Sequence, residues 1–196
     1  MSAANFVRPE TECSRRLELR LALAMIVFAI PFHVGCHRAA QALPNALNLY
    51  SAGLNNGSIP ATYTCDGANT SPALAWSAPP VGTVSLALIL TDPDAPQGTF
   101  VHWVVYNLPA TARSLPAAFS AQPQFADGIR QGRNDFDDMG YGGPCPPVHS
   151  EHRYVFDLYA LDATLSLASG ATRSQVENAL TGHVLARGRL IGRYSR

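Results

Sequence analysis

Three strand-forming segments constrain the fold of this chain more than any other feature of its sequence. The run Val84–Leu90 is apolar except for Ser85, which is typical of a central strand buried on both faces. Phe100–Leu108 and Tyr154–Leu161 are rich in β-branched and aromatic residues, the types that strands favour. Shorter strands are predicted at Leu47–Ala52, Ile59–Tyr63 and Val184–Ile191. The chain is therefore expected to be mainly β.

One helix and one long loop interrupt these strands. Thr172 is followed three residues later by Gln175, the spacing of a capping box at a helix N-terminus, and Gly182 supplies a stop. The segment from Ala110 to Tyr141 is rich in Pro, Gly, Asp and Asn and shows no periodicity. It is predicted to be a long loop, which in a small domain is usually functional or disordered.

The N-terminal segment has the pattern of an export signal. Arg15, Arg16 and Arg20 precede an apolar run, Leu21–Phe32, that is shorter than the ~20 residues needed to span a bilayer. We therefore predict a signal peptide over residues 1–35, or 1–42, followed by a single domain over residues 43–196.

Two cleavage sites fit this segment. Gly35-Cys36 resembles the end of a lipoprotein signal, in which Cys36 would be acylated and become the first residue. Ala40-Gln41-Ala42 fits ordinary signal peptidase and would leave a soluble chain. The expected location is the periplasm or, for a lipoprotein, the membrane of the cell envelope. Either cleavage leaves Cys65 and Cys145, which form a disulfide or remain two buried thiols.

Composition excludes several classes of partner and chemistry. The chain has 14 basic and 14 acidic residues, and every basic residue is Arg. No cluster of positive charge favours nucleic acid, and no Lys is available for a Schiff base or a P-loop. No Ser or Cys lies in a recognisable nucleophile motif, so neither catalysis nor a cofactor is expected. Two His and two Asp residues leave zinc binding or acid–base chemistry as the enzymatic alternative.

Residues that could carry chemistry are concentrated in three segments. Asp92-Pro93-Asp94-Ala95-Pro96 directly follows the apolar strand, and His102-Trp103 lies in the next one. The run from Tyr141 to Pro147 contains Gly142, Gly143 and Cys145, and is followed by His152-Arg153-Tyr154. Each segment alone also fits a turn, a core histidine or a connecting loop. Together they lie at strand ends that could meet at one rim of the molecule.

These segments, with Cys65-Asp66-Gly67 and Ser71–Trp76, resemble the phosphatidylethanolamine-binding proteins, and in particular their bacterial branch, also called Raf-kinase-inhibitor-like proteins. The resemblance extends from about Leu49 to Arg196, and the short connection Gln97–Val101 is one departure. It implies a β-sandwich of two sheets with a few peripheral helices and a small anion pocket. The pocket residues implied are Asp92, Asp94, Pro96, His102, Pro146, His152 and Tyr154.

The expected function is therefore non-enzymatic binding of small phosphate-bearing anions, either a phosphate monoester or a phospholipid head group. Imidazoles supply hydrogen-bond donors, and nearby carboxylates are expected to favour their protonated form. The loop that contains Gly142 and Gly143 is expected to bring backbone N–H groups close to the anion. The alternative is a protein-interaction module that inhibits a protease or modulates kinase or host signalling, with the pocket taking a carboxylate or phosphorylated side chain of the partner.

Overall fold

The computed structural model describes residues 46–54 and 56–196, all within one compact unit. The predicted signal peptide, both cleavage sites and Cys36 lie outside the described residues. No helix in the described part of the chain is long and apolar enough to cross a membrane.

Two antiparallel sheets form the framework. The larger sheet has five strands: β3 Ser85–Asp92, β4 Phe100–Pro109, β6 Arg130–Gln131, β7 Glu151–Leu161 and β8 Val184–Ser195. They are arranged in the order β6-β4-β3-β7-β8, so the apolar run of β3 lies at the centre. The smaller sheet has the order β1-β2-β5: β1 Leu49–Tyr50, β2 Leu74–Trp76 and β5 Ser114–Leu115.

The two faces of the large sheet bury different cores. One face, called here the sandwich face, packs against the small sheet through Leu86, Leu88 and Leu90 of β3. The opposite face, called the helix face, packs Ala87 and Ile89 against the helix described next. Because β3 is covered on both sides, every residue in it is buried. This explains why its sequence is apolar rather than alternating.

The only α-helix among the described residues, α1 Arg173–Leu180, begins where the capping-box spacing predicts. The Thr172 side chain accepts a hydrogen bond from the Gln175 N–H, and the Gln175 side chain accepts one from the Thr172 N–H. Buried Val176 and Leu180 hold the helix on the sheet. The prediction of the helix is confirmed.

Substitution of the capping residue tests this local signal. Thr172→Ala should lower the free energy of unfolding by about 1 kcal/mol, because it removes the acceptor for an otherwise unpaired helix N–H. Thr172→Ser keeps the hydroxyl and should cost much less. Urea unfolding of both variants measures the difference; equal losses would show that the methyl group, not the cap, matters.

Two segments have a structure different from the one predicted from the sequence. Ile59–Tyr63 is not a strand: Ala61–Tyr63 forms a 3₁₀ turn after Pro60, which has no N–H to donate to a strand partner. The predicted long loop, 110–141, contains the two short strands β5 and β6. Buried Gln131 fixes it by accepting from Trp103 Nε1 at 2.7 Å and donating to two loop carbonyls.

The fold class predicted from the sequence is confirmed: a mainly β sandwich of two antiparallel sheets. The peripheral helices of the described residues are α1 and the 3₁₀ turn. Trp76, Trp103 and Phe156 are buried core aromatics, as expected.

Candidate functional site

Strand alternation places three of the predicted site residues on one face. Side chains two apart in a strand point the same way, so Asp92 follows Leu90 onto the sandwich face. In β7, His152 and Tyr154 precede Phe156 on that same face. All three predicted residues are buried, at the end of the sheet where the apolar core stops.

A β-bulge adds His102 to this group. The register of β3 and β4 pairs Leu90 with Trp103 but Thr91 with Val101, which leaves His102 as an extra residue. Its ring lies 5.2 Å from the Tyr154 ring, on the sandwich face where Trp103 is also buried. Bulges commonly redirect a side chain in this way. Asp92, His102, His152 and Tyr154 are called the imidazole site below.

Asp92 and His152 form a buried hydrogen-bonded pair. The His152 Nδ1 atom lies 2.7 Å from Asp92 Oδ2, and the two side chains are only 8% and 5% exposed. A carboxylate at Nδ1 requires a proton on that nitrogen, which assigns the tautomer. His152 Nε2 has no hydrogen-bond partner among the described residues. The other Asp92 oxygen accepts the Asp94 backbone N–H at 2.8 Å, so the Asp92–Asp94 turn is rigid.

Asp94 is paired with Arg153 rather than with an imidazole. Its carboxylate accepts the Arg153 backbone N–H and Nε, each at 2.9 Å, and a further guanidinium nitrogen at 2.6 Å. These hydrogen bonds hold the pKa of Asp94 well below its usual value. Arg153 lies in the His152-Arg153-Tyr154 motif but was not among the predicted site residues. The sequence analysis assigned no cationic partner to the Asp94 carboxylate, and this gap was the signal that could have indicated Arg153.

His102 is held by a backbone carbonyl. Its Nδ1 donates to Gly142 O at 2.7 Å. Burial lowers the pKa of His102, and this effect outweighs the Gly142 hydrogen bond and the charge of Asp92, which both raise it. The charge of Asp92 thus favours the protonated form of His102, as expected, but burial has the larger effect and favours the uncharged imidazole.

The loop from Gly142 to Pro147 forms a fixed wall beside His102. Gly142 N–H donates to His102 O, and Gly143 N–H donates to Asn69 Oδ1. A Cβ on Gly143 would lie 2.4 Å from Asn69 Oδ1, so only glycine fits there. The N–H groups of Gly142 and Gly143 are therefore both bonded within the protein and do not themselves face an anion. The glycines instead permit close packing.

A disulfide joins this loop to the segment that contains Asn69. Cys65 and Cys145 are bonded, with their Cα atoms 5.4 Å apart. The Cys65 N–H also donates to Pro144 O at 3.1 Å. Of the two arrangements that the sequence left open, the structure contains the disulfide.

Tyr154 gives the site a buried hydroxyl without a partner. Its hydroxyl is buried and makes no hydrogen bond within the described residues, although it lies close to Asp92 and to the Cys145 backbone. Burial, followed by the charge of Asp92, raises the pKa of Tyr154, so the phenol stays protonated. A buried donor without a partner is costly unless water or a ligand satisfies it.

The remaining predicted residues flank the site. Pro146 is buried next to Cys145, whereas Pro96 is exposed, two residues after Asp94. The described residues contain no group of three or more His, Cys, Asp and Glu side chains that could hold a metal ion.

Two aromatic residues at the site were missed by the sequence analysis. The Phe100 and Phe136 rings lie 5.1 and 5.4 Å from the His102 ring and 4.8 Å from each other. Phe136 belongs to a loop whose sequence shows no strand or helix pattern. No spacing along the chain indicates that it reaches β4.

Comparison with known proteins places this geometry in a family. The sequence pattern of the family described as phosphatidylethanolamine-binding protein matches residues 51–195. A UPF0098 protein of Aquifex aeolicus is 48% identical over 153 residues, covering 76% of this chain and 89% of its own. A UPF0098 protein of Methanothermobacter thermautotrophicus is 46% identical over 151 residues, covering 76% of this chain and 99% of its own.

Solved structures agree with the sequence relatives. CT736 of Chlamydia trachomatis, described as a phosphatidylethanolamine-binding protein homologue, superimposes with a TM-score of 0.69 at 39% identity. E. coli YbcL, described as a member of the mammalian family of these proteins, gives 0.70 at 32% identity. Each alignment covers 78% of this chain and 99% of the other. Sequence, fold and the motifs gathered at the imidazole site together show that the chain belongs to the phosphatidylethanolamine-binding protein family.

Proposed function

We propose that this chain is a non-enzymatic binding protein that holds a small phosphate-bearing anion at the imidazole site. Family membership indicates a binding function, and the buried, unpartnered Tyr154 hydroxyl is the observation that supports a ligand at this position. A phosphate oxygen is a strong acceptor for such a donor. The Nε2 atoms of His102 and His152, whose Nδ1 atoms are bonded within the protein, are the other groups of the site that would contact the ligand.

The charges of the site are compatible with an anion. Two carboxylates beside a phosphate would repel it if they were unpaired. Asp94 is paired with the Arg153 guanidinium, and each Asp92 oxygen accepts a hydrogen bond, one from His152 and one from the turn backbone. The ligand's charge therefore meets imidazoles and a phenol rather than free carboxylates.

The tautomers of His102 and His152 determine whether binding of the anion requires an additional proton. Both imidazoles donate their Nδ1–H within the protein, so each neutral ring offers only a lone pair at Nε2. A phosphate oxygen is satisfied there only if a proton is added, either to the ring or to the ligand. Binding should therefore be coupled to the uptake of about one proton.

This coupling gives a direct test. Because burial lowers the pKa of His102 in the free protein, and a bound anion favours its charged form, affinity should rise as the pH falls from about 8 to 6. Calorimetry in two buffers of different ionisation enthalpy should report proton uptake with inorganic phosphate. Phosphoethanolamine and glycerophosphoethanolamine as parallel ligands separate a free phosphate or monoester from a lipid head group. Absence of binding to all three would overturn the proposal.

The proposed location is the cell envelope, as a periplasmic protein or a lipoprotein anchored at Cys36. The Cys65–Cys145 disulfide supports export, because disulfides persist mainly in oxidising compartments. Fractionation of cells, with the migration of the protein under non-reducing conditions, tests the location and the bond together.

A further inference from the structure

Phe136 has an apolar ring that is partly exposed to solvent beside the imidazole site. The residue is 44% exposed, yet its ring makes edge contacts with His102 and Phe100. His102, against which it lies, is 3% exposed. Phe136 therefore contacts a site residue on one side and solvent on the other.

The position of Phe136 is fixed by hydrogen bonds rather than by packing alone. Asn134 Oδ1 accepts the N–H groups of Phe136 and Asp138 at 3.0 and 3.1 Å. Asp135 exchanges two hydrogen bonds with the backbone of Val101 in β4, at 2.7 and 2.9 Å. The ring is thus held next to the bulge that presents His102.

The loop on the other side also makes room for this ring. A Cβ on Gly142 would lie 2.5 Å from two carbons of the Phe136 ring. Glycine at this position is therefore required for Phe136 to stay where it is. An exposed phenyl group that is held this firmly gains free energy only when something apolar covers it.

We propose that Phe136 determines ligand specificity by covering the apolar group attached to the ester oxygen of a phosphate monoester. The inference rests on the proposed function, since the phosphate itself would be held by His102, His152 and Tyr154. It names a narrower ligand class: aryl or branched-alkyl phosphate monoesters, in preference to inorganic phosphate or a methyl ester.

Calorimetry with methyl phosphate and phenyl phosphate tests this assignment. The wild-type protein should bind phenyl phosphate roughly tenfold more tightly, as expected for burial of part of two apolar surfaces. Phe136→Ala should lower the ratio of the phenyl phosphate affinity to the methyl phosphate affinity from roughly tenfold to about one. Phe136→Leu keeps an apolar side chain and should retain part of the preference. Tyr50→Ala, which removes an exposed ring in β1, is the control and should change neither affinity.

The outcomes separate this inference from the proposed function. If the wild-type protein binds both esters equally, or if Phe136→Ala weakens both to the same extent, Phe136 only supports His102 and the inference is wrong. If the wild-type protein binds inorganic phosphate but neither ester, the inference alone is wrong; if it binds neither ester and none of the three ligands named above, the proposed function itself fails. Thermal unfolding of each variant confirms that it is folded, which a half-exposed side chain should permit.

Discussion

Replacement of both cysteines, in C65S/C145S, should lower the free energy of unfolding by about 4 kcal/mol. The bond links residues 80 apart in sequence, so without it the unfolded chain gains much conformational freedom. The folded state should change little, because the Cys65 N–H still donates to Pro144 O and Gly143 still bonds to Asn69. The loss therefore comes from the unfolded state.

Urea unfolding of the variant and of the wild-type protein measures this difference. The wild-type protein in excess dithiothreitol is the matched control, since it lacks the bond but keeps both cysteines. C65S/C145S and the reduced wild-type protein should have the same free energy of unfolding. A difference of less than about 1 kcal/mol between oxidised wild type and C65S/C145S would contradict the argument from loop length.

His152→Ala should weaken the affinity for inorganic phosphate by about a hundredfold or more. The change removes one imidazole from the site and leaves the Asp92 carboxylate buried, with only the Asp94 N–H as its partner. An uncompensated buried carboxylate repels the anion and also destabilises the fold. Calorimetry gives the affinity, and thermal unfolding gives the accompanying loss of stability.

The chain contains a closely matched control for this variant. His183 Nδ1 lies 2.7 Å from Asp162 Oδ1, the same pairing distance as in the site, but both side chains are 47% exposed. His183→Ala should leave phosphate affinity unchanged and alter stability by less than about 1 kcal/mol, because exposed ion pairs contribute little. Phosphate affinity in His152→Ala equal to that of the wild type would exclude His152 from the binding site.

The long strands could be predicted from the sequence because their residue types are unambiguous over many positions. Their ends could not: β7 begins at Glu151 and β8 continues to Ser195, where polar residues still pair with a neighbouring strand. The strands of the small sheet were even harder to predict from the sequence. Its strands β2 and β5 have three and two residues, too few to show a period of two.

At the site, the motifs indicated which residues gather but not which atoms pair. Asp94 bonds to Arg153, and His102 to the Gly142 carbonyl. Such partners depend on cross-strand register and loop conformation, which spacing along one chain does not determine. The same reason explains why Phe136, 34 residues after His102, was not recognised as its neighbour.

Because of the bulge at His102, insertions and deletions should have different effects in the connection between β3 and β4 and within β4 itself. The part of the connection after Asp94 and before Phe100 lies beyond the last paired residues of β3 and β4, so its length can change without moving either strand. Removing Val101, directly before His102, would instead restore an unbroken ladder there and turn the imidazole to the opposite face. Insertions at the hairpin tip should therefore leave the position of His102 unchanged, whereas a change in the residue count of β4 at the bulge should move it.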